Sequence, residues 1–562
     1  MELRLSAQAQ MQFISSLEKV FVDEPFHAEE ITSGTMLQGE VYHFQLAFCM
    51  REHLQEVQVH VESPIAQYIS VRTVDNVMAD HPIPDNSRDQ YILHEGKPGM
   101  YPDVLRPLSK FGINLTKDHW KTLWFTVETK ETIPAGKYPV KVSLTYTRMP
   151  WGGVTYEEEL LGEKTFLLEV LPAQLPKQTI TCTNWFHCDC IATWYGVEVF
   201  SEEHWARIRQ FMEVAVRRGI NFILTPIFTP ALDTAVGSER PTVQLIGVKK
   251  DGDKYTFNFD RLERWIKMAL ECGVEYFEMA HLFSQGGAKF APKRVAEVDG
   301  EEKRIFGWDT ASDGEAYASF LRAFLPQLIN FLNAKGLQGK VFFHLSDEPS
   351  VDHIENYRKI HDLVASLIGD YEILDALSHT EFLDEGLLKI PVSVVSSYHL
   401  FRDRDVAQKF TYYCCGPTYG NYTNGFLCFP SARTRILGFQ MYLEQITGFL
   451  HWGFNFWYSQ LSKFPIDPFT NTDAGGAFPA GDGFVVYPSE EGPLHALRLE
   501  VFYDAFQDYA ACQALEAKIG REKVLEILNE GLAEPLSLTV YPHSNSWLLN
   551  KREQINRLIA EN

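Results

Sequence analysis

Two adjacent acidic residues stand at the end of a strongly apolar segment. Asp347 and Glu348 follow the apolar stretch 341–345 and precede Pro349. Charge at the end of a buried strand is costly to desolvate, so this placement usually serves chemistry rather than packing. Two neighbouring carboxyl groups in a partly dry pocket cannot both ionise freely, so one can stay protonated as an acid while the other is anionic. Hydrolysis of a glycosidic bond requires such a pair.

The residues on either side of the acids bear on this interpretation. Pro349 disfavours the α region for the residue before it and therefore predicts an extended Glu348. The alternative is that both acids merely end a strand, with Asp347 capping a helix that begins near residue 351. The Phe342-Phe343 pair before the acids and the proline after them favour the chemical interpretation.

Composition limits the classes of partner. The chain has 562 residues, of which 45% are hydrophobic, and this size predicts at least two domains. A formal net charge of -23 argues against nucleic acid or an anionic membrane as partner, because both repel such a surface. The N-terminus lacks an apolar leader segment, and the sequence contains no run of 18 apolar residues. These features predict a cytoplasmic protein with a neutral or basic ligand.

The nine cysteines are interpreted as reduced, buried thiols. Cys188 and Cys190 lie close to His187, but their spacing differs from the C-x2-C pairs typical of zinc sites. We therefore predict no metal site and no cofactor.

The hydrophobic pattern changes along the chain. From about residue 15 to residue 175, short segments with period-two alternation predict an antiparallel β-sandwich. Residues 171–176 form the predicted linker. After the linker, strands alternate with helices, two of which, 205–218 and 262–272, end at glycines. The predicted domains are an N-terminal β-sandwich accessory domain at 1–175 and a catalytic (β/α)8 TIM-like barrel with C-terminal helices at 176–562.

The barrel prediction depends on eight candidate strands. They lie at 180–189, 222–226, 275–283, 340–345, 373–377, 392–396, 411–415 and 448–457. In such a barrel the active site lies at the carboxyl ends of the strands, and Asp347 and Glu348 follow the fourth. Polar and aromatic residues near the other strand ends are His187, Asp189, Thr229, Asp233, His281, Gln285, Tyr398, His399, Tyr413, Trp452, Asn455 and Trp457.

Four segments carry a resemblance to a known family. They are 343–349, 448–457, Gly481-Asp482-Gly483 with Tyr487-Pro488, and Arg498-Leu499-Glu500 with Gln507-Asp508-Tyr509. The chain resembles glycoside hydrolase family 123, the β-N-acetylgalactosaminidases, and related bacterial proteins that share their catalytic barrel. Together with the predicted sandwich, the resemblance extends over nearly the whole chain.

The resemblance implies a retaining, exo-acting and substrate-assisted hydrolysis of a terminal 2-acetamido sugar. In this scheme the acetamido oxygen of the substrate attacks the anomeric carbon, so the protein supplies no nucleophile, unlike the usual two-carboxylate scheme. Asp347 would orient the acetamido group and stabilise its growing positive charge. Glu348 would protonate the leaving oxygen and then activate water.

Further candidates for substrate binding fall into groups with different roles. The candidates for the apolar floor under a sugar ring are Trp308, Trp452 and Trp457. Tyr398 and Tyr413 are candidates for hydrogen bonds to the acetamide carbonyl. The candidates for bonds to ring hydroxyls are His187, Asp189, His281 and Asp482. Arg240, in an excursion after the second strand, is a candidate for a loop that closes over the site.

The substrate and the role of Asp347 have alternatives. The residues that would distinguish the two epimers at the 4-hydroxyl are not matched, so a β-N-acetylglucosaminidase is one alternative to the N-acetylgalactosaminidase. Another is a barrel glycosidase in which Asp347 is the covalent nucleophile. The third is a carbohydrate-binding protein without turnover. The predicted ligand is thus an oligosaccharide or glycoside, in the leading hypothesis with a terminal 2-acetamido sugar.

Overall fold

The computed structural model describes residues 8–84, 88–148 and 157–562. Its N-terminal third is built from β-strands. These are β1 (Gln10–Ser15), β2 (Ser33–Gln38), β3 (Tyr42–Cys49), β4 (Leu54–Glu62), β5 (Ile69–Ala79), β6 (Gly99–Pro107), β7 (Ile113–Leu115), β8 (Lys121–Val127), β9 (Gly136–Arg148) and β10 (Glu157–Gln174).

The remainder of the chain alternates strands and helices. The strands are β11 (Thr181–Asn184), β12 (Phe222–Thr225), β13 (Gly247–Asp251), β14 (Lys254–Asn258), β15 (Tyr276–Met279), β16 (Arg294–Val298), β17 (Glu301–Phe306), β18 (Val341–Phe343), β19 (Glu372–Leu377), β20 (Ile390–Val394), β21 (Phe410–Tyr413), β22 (Gly448–His451), β23 (Val486–Tyr487) and β24 (Leu494–Ala496). The helices are α1 (Cys188–Tyr195), α2 (Glu202–Arg217), α3 (Asp260–Cys272), α4 (Glu315–Ala334), α5 (Ile354–Ile368), α6 (Glu381–Asp384), α7 (Ser431–Arg435), α8 (Leu437–Glu444), α9 (Leu497–Ile519), α10 (Arg521–Asn529) and α11 (Asn545–Glu561). Within the described ranges, no helix is long and apolar enough to cross a membrane.

The N-terminal β domain contains two sheets around a shared aromatic core. One sheet has the order β1-β3-β8-β5-β6-β24-β23, and the other has the order β2-β10-β9-β4-β7. Phe44 in β3 stacks on Phe125 of the same sheet at 4.8 Å and on Phe166 of the other sheet at 4.4 Å between ring centroids. β23 and β24 come from the C-terminal half, so backbone hydrogen bonds connect the N-terminal β domain to the chain that follows the barrel.

Eight parallel strands form a closed barrel in the order β11-β12-β15-β18-β19-β20-β21-β22, with β22 pairing back to β11. All eight predicted strands are present in the predicted order. The first is shorter than predicted, because the chain leaves the barrel at Trp185 and α1 begins at Cys188. The helical layer is less regular than in a full (β/α)8 barrel: only the four-residue α6 joins β19 to β20, and a 3-10 helix, Val395–Leu400, joins β20 to β21.

Candidate active site

A pocket of about 130 Å³ opens at the carboxyl ends of the barrel strands. Its lining residues come from the ends of seven of the eight barrel strands or from the loops that follow them. They are Trp185, Leu232, Asp233, Gln285, Asp347, Glu348, Ala376, Tyr412, Cys414, Cys415, Leu450, Trp452 and Phe478. A larger cavity of about 320 Å³ lies between the N-terminal β domain and α11, but its charged lining includes Arg552 with Glu40 and Arg435 with Asp504, which already pair with each other. We therefore take the barrel pocket as the candidate active site.

Asp347 and Glu348 both line this pocket, and backbone bonds hold the segment that carries them. The carbonyl oxygen of Asp347 accepts from the Gly286 N–H at 3.0 Å, and the Glu348 N–H donates to the Ala376 carbonyl oxygen at 3.1 Å. Glu348 has a φ of 46°, so the prediction of an extended conformation is wrong. A left-handed conformation costs a non-glycine residue roughly 1–2 kcal/mol, so these contacts and the site around it must hold the residue in place.

The Glu348 side chain is held by a tyrosine that was not among the residues predicted from the sequence. The Tyr412 hydroxyl donates to Glu348 Oε1 at 2.7 Å. The predicted residue was Tyr413, but successive residues of a strand point to opposite sides. Tyr413 faces away from the barrel axis, packs against Phe449, and pairs its hydroxyl with Thr423. Both tyrosines are buried, so the hydrophobic pattern of β21 contains no signal that distinguishes the two sides.

The two carboxyl groups have different surroundings. Asp347 is half-buried, whereas Glu348 is exposed. The pKa of Asp347 is raised well above its usual range, first because burial disfavours the anion and then because the Glu348 carboxylate repels it. The His344 imidazolium opposes this shift. The family resemblance assigns Asp347 an anionic, stabilising role, yet its surroundings in the structure disfavour the ionised form.

A buried imidazolium lies between two carboxylates beneath the pocket. His344 Nδ1 bonds to Asp375 Oδ1 at 3.0 Å, and His344 Nε2 bonds to Glu278. Burial alone would favour the neutral ring, but the carboxylates of Glu278 and Asp375 raise the pKa of His344 to about 10. Asp375 also accepts from the backbone N–H groups of Leu345 and Ser346 at 3.0 and 3.3 Å. The network thus ties β15, β18 and β19 together directly below Asp347.

Glu278 and Asp375 were not predicted as site residues, although each is an acid inside an otherwise apolar strand. A buried charge in such a position needs a charged or hydrogen-bonding partner. An acid within an apolar strand was therefore the sequence feature that could have identified both residues. Glu278 further accepts from the Trp185 indole N–H at 2.9 Å and from the Thr183 hydroxyl at 2.8 Å. It therefore fixes one aromatic wall of the pocket as well as the imidazolium.

The predicted ligand residue His281 lies beneath the pocket lining. Its ring stacks on that of His344 at 4.3 Å with an interplanar angle of 20°, and its pKa is lowered well below the usual value by burial and by the charge of His344. Potential metal-ligating atoms of His281, His344 and Asp375 lie within 4.8 Å of one another. However, imidazole lone pairs lie in the ring plane, so two nearly parallel stacked rings cannot direct them at one ion. The cluster fits a structural charge network better than a metal centre.

The sequence matches the family model described as glycoside hydrolase 123, catalytic domain, over residues 185–515, which is more than half of the chain. The chain belongs to glycoside hydrolase family 123. It is therefore a glycoside hydrolase, and its substrate is a glycan.

Solved structures resemble this chain to very different degrees, and one of them shares its overall fold. A family 123 glycoside hydrolase from Clostridium perfringens, whose structure was analysed for glycolipid glycan hydrolysis, is similar with a TM-score of 0.74 and 14% identity over 99% of this chain and 98% of that chain. A β-D-glucuronidase of Dictyoglomus thermophilum has a TM-score of 0.31 and 8% identity over 90% of this chain and 98% of that chain. A family 2 hydrolase from Bacteroides cellulosilyticus has a TM-score of 0.26 and 9% identity over 79% of this chain and 46% of that chain. Among curated proteins, none matches this sequence.

Three residues that were predicted to bind substrate, His187, Asp189 and Arg240, instead form a buried cluster behind one wall of the pocket of this glycoside hydrolase. Arg240 donates to both carboxylate oxygens of Asp189 at 2.8 Å each and to His187 Nδ1 at 3.1 Å. It also donates to the carbonyl oxygen of Leu232, which lines the pocket. Burial, and next the Arg240 charge, lower the pKa of His187 to about 4. All three side chains are buried and none lines the pocket, so Arg240 is not part of a loop that closes over it.

The remaining candidates divide between the pocket and the core. Trp452 lines the pocket, and its indole N–H donates to Asp482 Oδ2 at 2.9 Å, so Asp482 acts on the pocket through Trp452. Trp457 packs in the core against Trp194 and Phe211. The Tyr398 hydroxyl donates to the Glu444 carbonyl oxygen at 3.2 Å, away from the pocket. Trp308 lines a separate pocket.

Proposed function

We propose that this glycoside hydrolase removes terminal β-linked N-acetylgalactosamine by a retaining, substrate-assisted mechanism. The observation that carries the proposal is the presence of Asp347 and Glu348 side by side in one small pocket at the end of β18. Pockets for drug-sized ligands measure roughly 300–1,000 Å³. A pocket of about 130 Å³ is therefore suited to a single terminal sugar rather than to a long chain.

The state of Asp347 favours assistance by the substrate over a protein nucleophile. The raised pKa of Asp347 disfavours its free carboxylate, and a covalent nucleophile would have to be that carboxylate without any compensating charge from the substrate. In the substrate-assisted reaction, positive charge develops on the acetamido N–H beside Asp347. This charge stabilises the Asp347 carboxylate during the step in which the carboxylate acts. Among the described residues of the lining, the only other carboxyl group is that of Asp233, whose Oδ2 accepts from the Leu461 N–H at 2.9 Å.

The proposed reaction has two steps, each of which inverts the anomeric carbon. Binding of the acetamido N–H beside Asp347 favours the Asp347 anion, so the proton of the pair passes to Glu348 before the bond breaks. Glu348 then donates this proton to the glycosidic oxygen while the acetamido oxygen attacks the anomeric carbon, which breaks the bond to the leaving group and forms an oxazolinium ion. Asp347 accepts a hydrogen bond from the acetamido nitrogen and stabilises its positive charge. Then Glu348 removes a proton from water, which attacks the anomeric carbon and opens the oxazolinium ring. Two inversions give net retention.

The aromatic walls position the sugar for this reaction. Trp185 and Trp452 line the pocket, and each indole N–H is held by a buried carboxylate, Glu278 and Asp482 respectively. Rigid indoles can pack against the apolar face of a pyranose and exclude water from the reacting atoms. The preference for the galactose configuration rests on the family resemblance of the sequence motifs.

The test compares the 4-nitrophenyl β-glycosides of N-acetylgalactosamine and N-acetylglucosamine. We expect faster release of nitrophenol from the N-acetylgalactosaminide than from the N-acetylglucosaminide. The released sugar should initially be the β-anomer by proton NMR. A thiazoline analogue of the sugar should inhibit strongly. Glu355→Gln, which changes an exposed carboxyl on α5, is the matched control for Glu348→Gln and keeps full activity. Release of the α-anomer, or trapping of Asp347 by a fluorosugar, would refute the mechanism.

A further inference from the structure

A second pocket, of about 320 Å³, lies among the segments that follow β12 and β15. It is formed by the loop 236–239, by Lys293 and Arg304, and by residues 307–309. Among the described residues of its lining, Trp308 is the only aromatic one. The indole N–H donates to the Ser238 carbonyl oxygen at 2.9 Å, and the ring packs edge-to-face on Phe290 at 5.9 Å. The residue is thus anchored, yet it remains half-exposed within the pocket.

A short series of contacts connects this pocket to the catalytic acids. Trp308 packs on Phe290, and two hydrogen bonds join Phe290 to Ser284. The Ser284 N–H donates to the Phe290 carbonyl oxygen at 3.0 Å, and the Phe290 N–H donates to Ser284 Oγ at 3.1 Å. The Ser346 hydroxyl donates to the Ser284 carbonyl oxygen at 2.9 Å, and Ser346 directly precedes Asp347. The loop after β12 makes a second connection, because Asp233 lines the catalytic pocket and Ser238, five residues later, lines the second. Five residues span at most roughly 17 Å, so the two pockets are neighbours.

The charged groups around Trp308 are balanced. Lys293 Nζ lies 2.8 Å from a carboxylate oxygen of Glu239, and Arg304 donates to both carboxylate oxygens of Asp309 at 2.7 and 2.9 Å. In the described lining, these two cations and two anions leave no net charge, so the pocket does not favour an acidic sugar. Paired, partly exposed polar groups around an anchored indole are suited to a neutral ring that offers apolar C–H groups to the indole and hydroxyls to the rim.

We propose that the Trp308 pocket is a second sugar subsite, which binds a neutral hexose of the glycan to which the cleaved sugar is attached. This inference rests on the proposed function, since the catalytic pocket accommodates one terminal sugar and the rest of the glycan must lie outside it. The indole of Trp308 forms the stacking surface of the subsite. The pocket therefore selects for extended oligosaccharides over simple glycosides of the same terminal sugar.

The experiment compares two substrates that share the terminal sugar and differ only in the leaving group. One is 4-nitrophenyl β-N-acetylgalactosaminide, and the other is a trisaccharide with the same terminal sugar on two neutral hexoses. We expect Trp308→Ala to lower kcat/KM for the trisaccharide roughly tenfold, mainly through KM, because the stacking surface is lost. The aryl glycoside should change less than about twofold. Trp308→Phe should lie between the two, and Trp194→Ala, which removes a tryptophan that is 38% exposed outside both pockets, should affect neither substrate.

Each outcome decides the proposal. An equal loss on both substrates would assign Trp308 to loop packing, and an unchanged trisaccharide would exclude the subsite. If the parent protein cleaves neither substrate, the proposed function fails and titration calorimetry of the trisaccharide decides the subsite separately. Binding that is weakened by Trp308→Ala supports the subsite, whereas equal binding, or no binding to the parent, overturns it.

Discussion

The buried imidazolium of His344 predicts a large dependence of stability on pH. Its pKa is raised from 6.5 to about 10 by two buried carboxylates, which corresponds to about 4 to 5 kcal/mol of folding free energy. Because the folded-state pKa lies above the unfolded-state value, this contribution is complete below pH 6.5 and is lost as the pH rises to 10. His344→Gln removes the cation and leaves Glu278 and Asp375 without it. The variant should therefore be less stable by about 4 to 5 kcal/mol at pH 6, with little difference at pH 10.

The assay is urea denaturation followed by tryptophan fluorescence, at pH values between 6 and 10. The quantity of interest is the difference between parent and variant at each pH, because the titration of other groups largely cancels in that difference. His399→Gln, at an exposed histidine, is the matched control and should show no pH-dependent difference. A parent-minus-variant difference that stays constant from pH 6 to pH 10 would refute the assignment of a charged His344.

Four substitutions test the other parts of the site. Tyr412→Phe removes a hydrogen bond to a carboxyl group and should lower kcat/KM about 10- to 100-fold on natural glycans, measured by product chromatography; unchanged kinetics would exclude a role for the hydroxyl. Glu348→Gln should abolish cleavage of poor leaving groups while sparing activated aryl glycosides in a single-turnover assay; equal losses on both classes would contradict its role as the acid. Asp347→Asn should lower kcat on every acetamido substrate, which steady-state kinetics on both epimers checks. Arg240→Met leaves buried Asp189 unpaired and should destabilise the fold by about 3 to 5 kcal/mol in urea denaturation, and a small loss would contradict a structural role.

Sequence reasoning located the acid pair of the candidate site because the relevant signal is local. An apolar segment that ends in two acids and a proline predicts a strand end with a chemical function, and Asp347 and Glu348 do line the pocket at the end of β18. The same kind of signal, alternating strand and helix patterns, predicted all eight barrel strands in order. The conformation of Glu348 was predicted wrongly, because the bond from its N–H to Ala376 is made by a strand that lies elsewhere in the sequence.

The amino-acid sequence by itself determined the order of the elements, the family and the position of the acid pair. Only the tertiary structure decided which side chains reach the pocket. Tyr412 bonds to Glu348 whereas Tyr413 enters the core, and His344 gains its charge from acids that lie 66 and 31 residues away in the chain. The physical reason is that barrel strands are buried on both faces, so their hydrophobic pattern does not record orientation, and pairing between distant charges depends on the closure of the barrel.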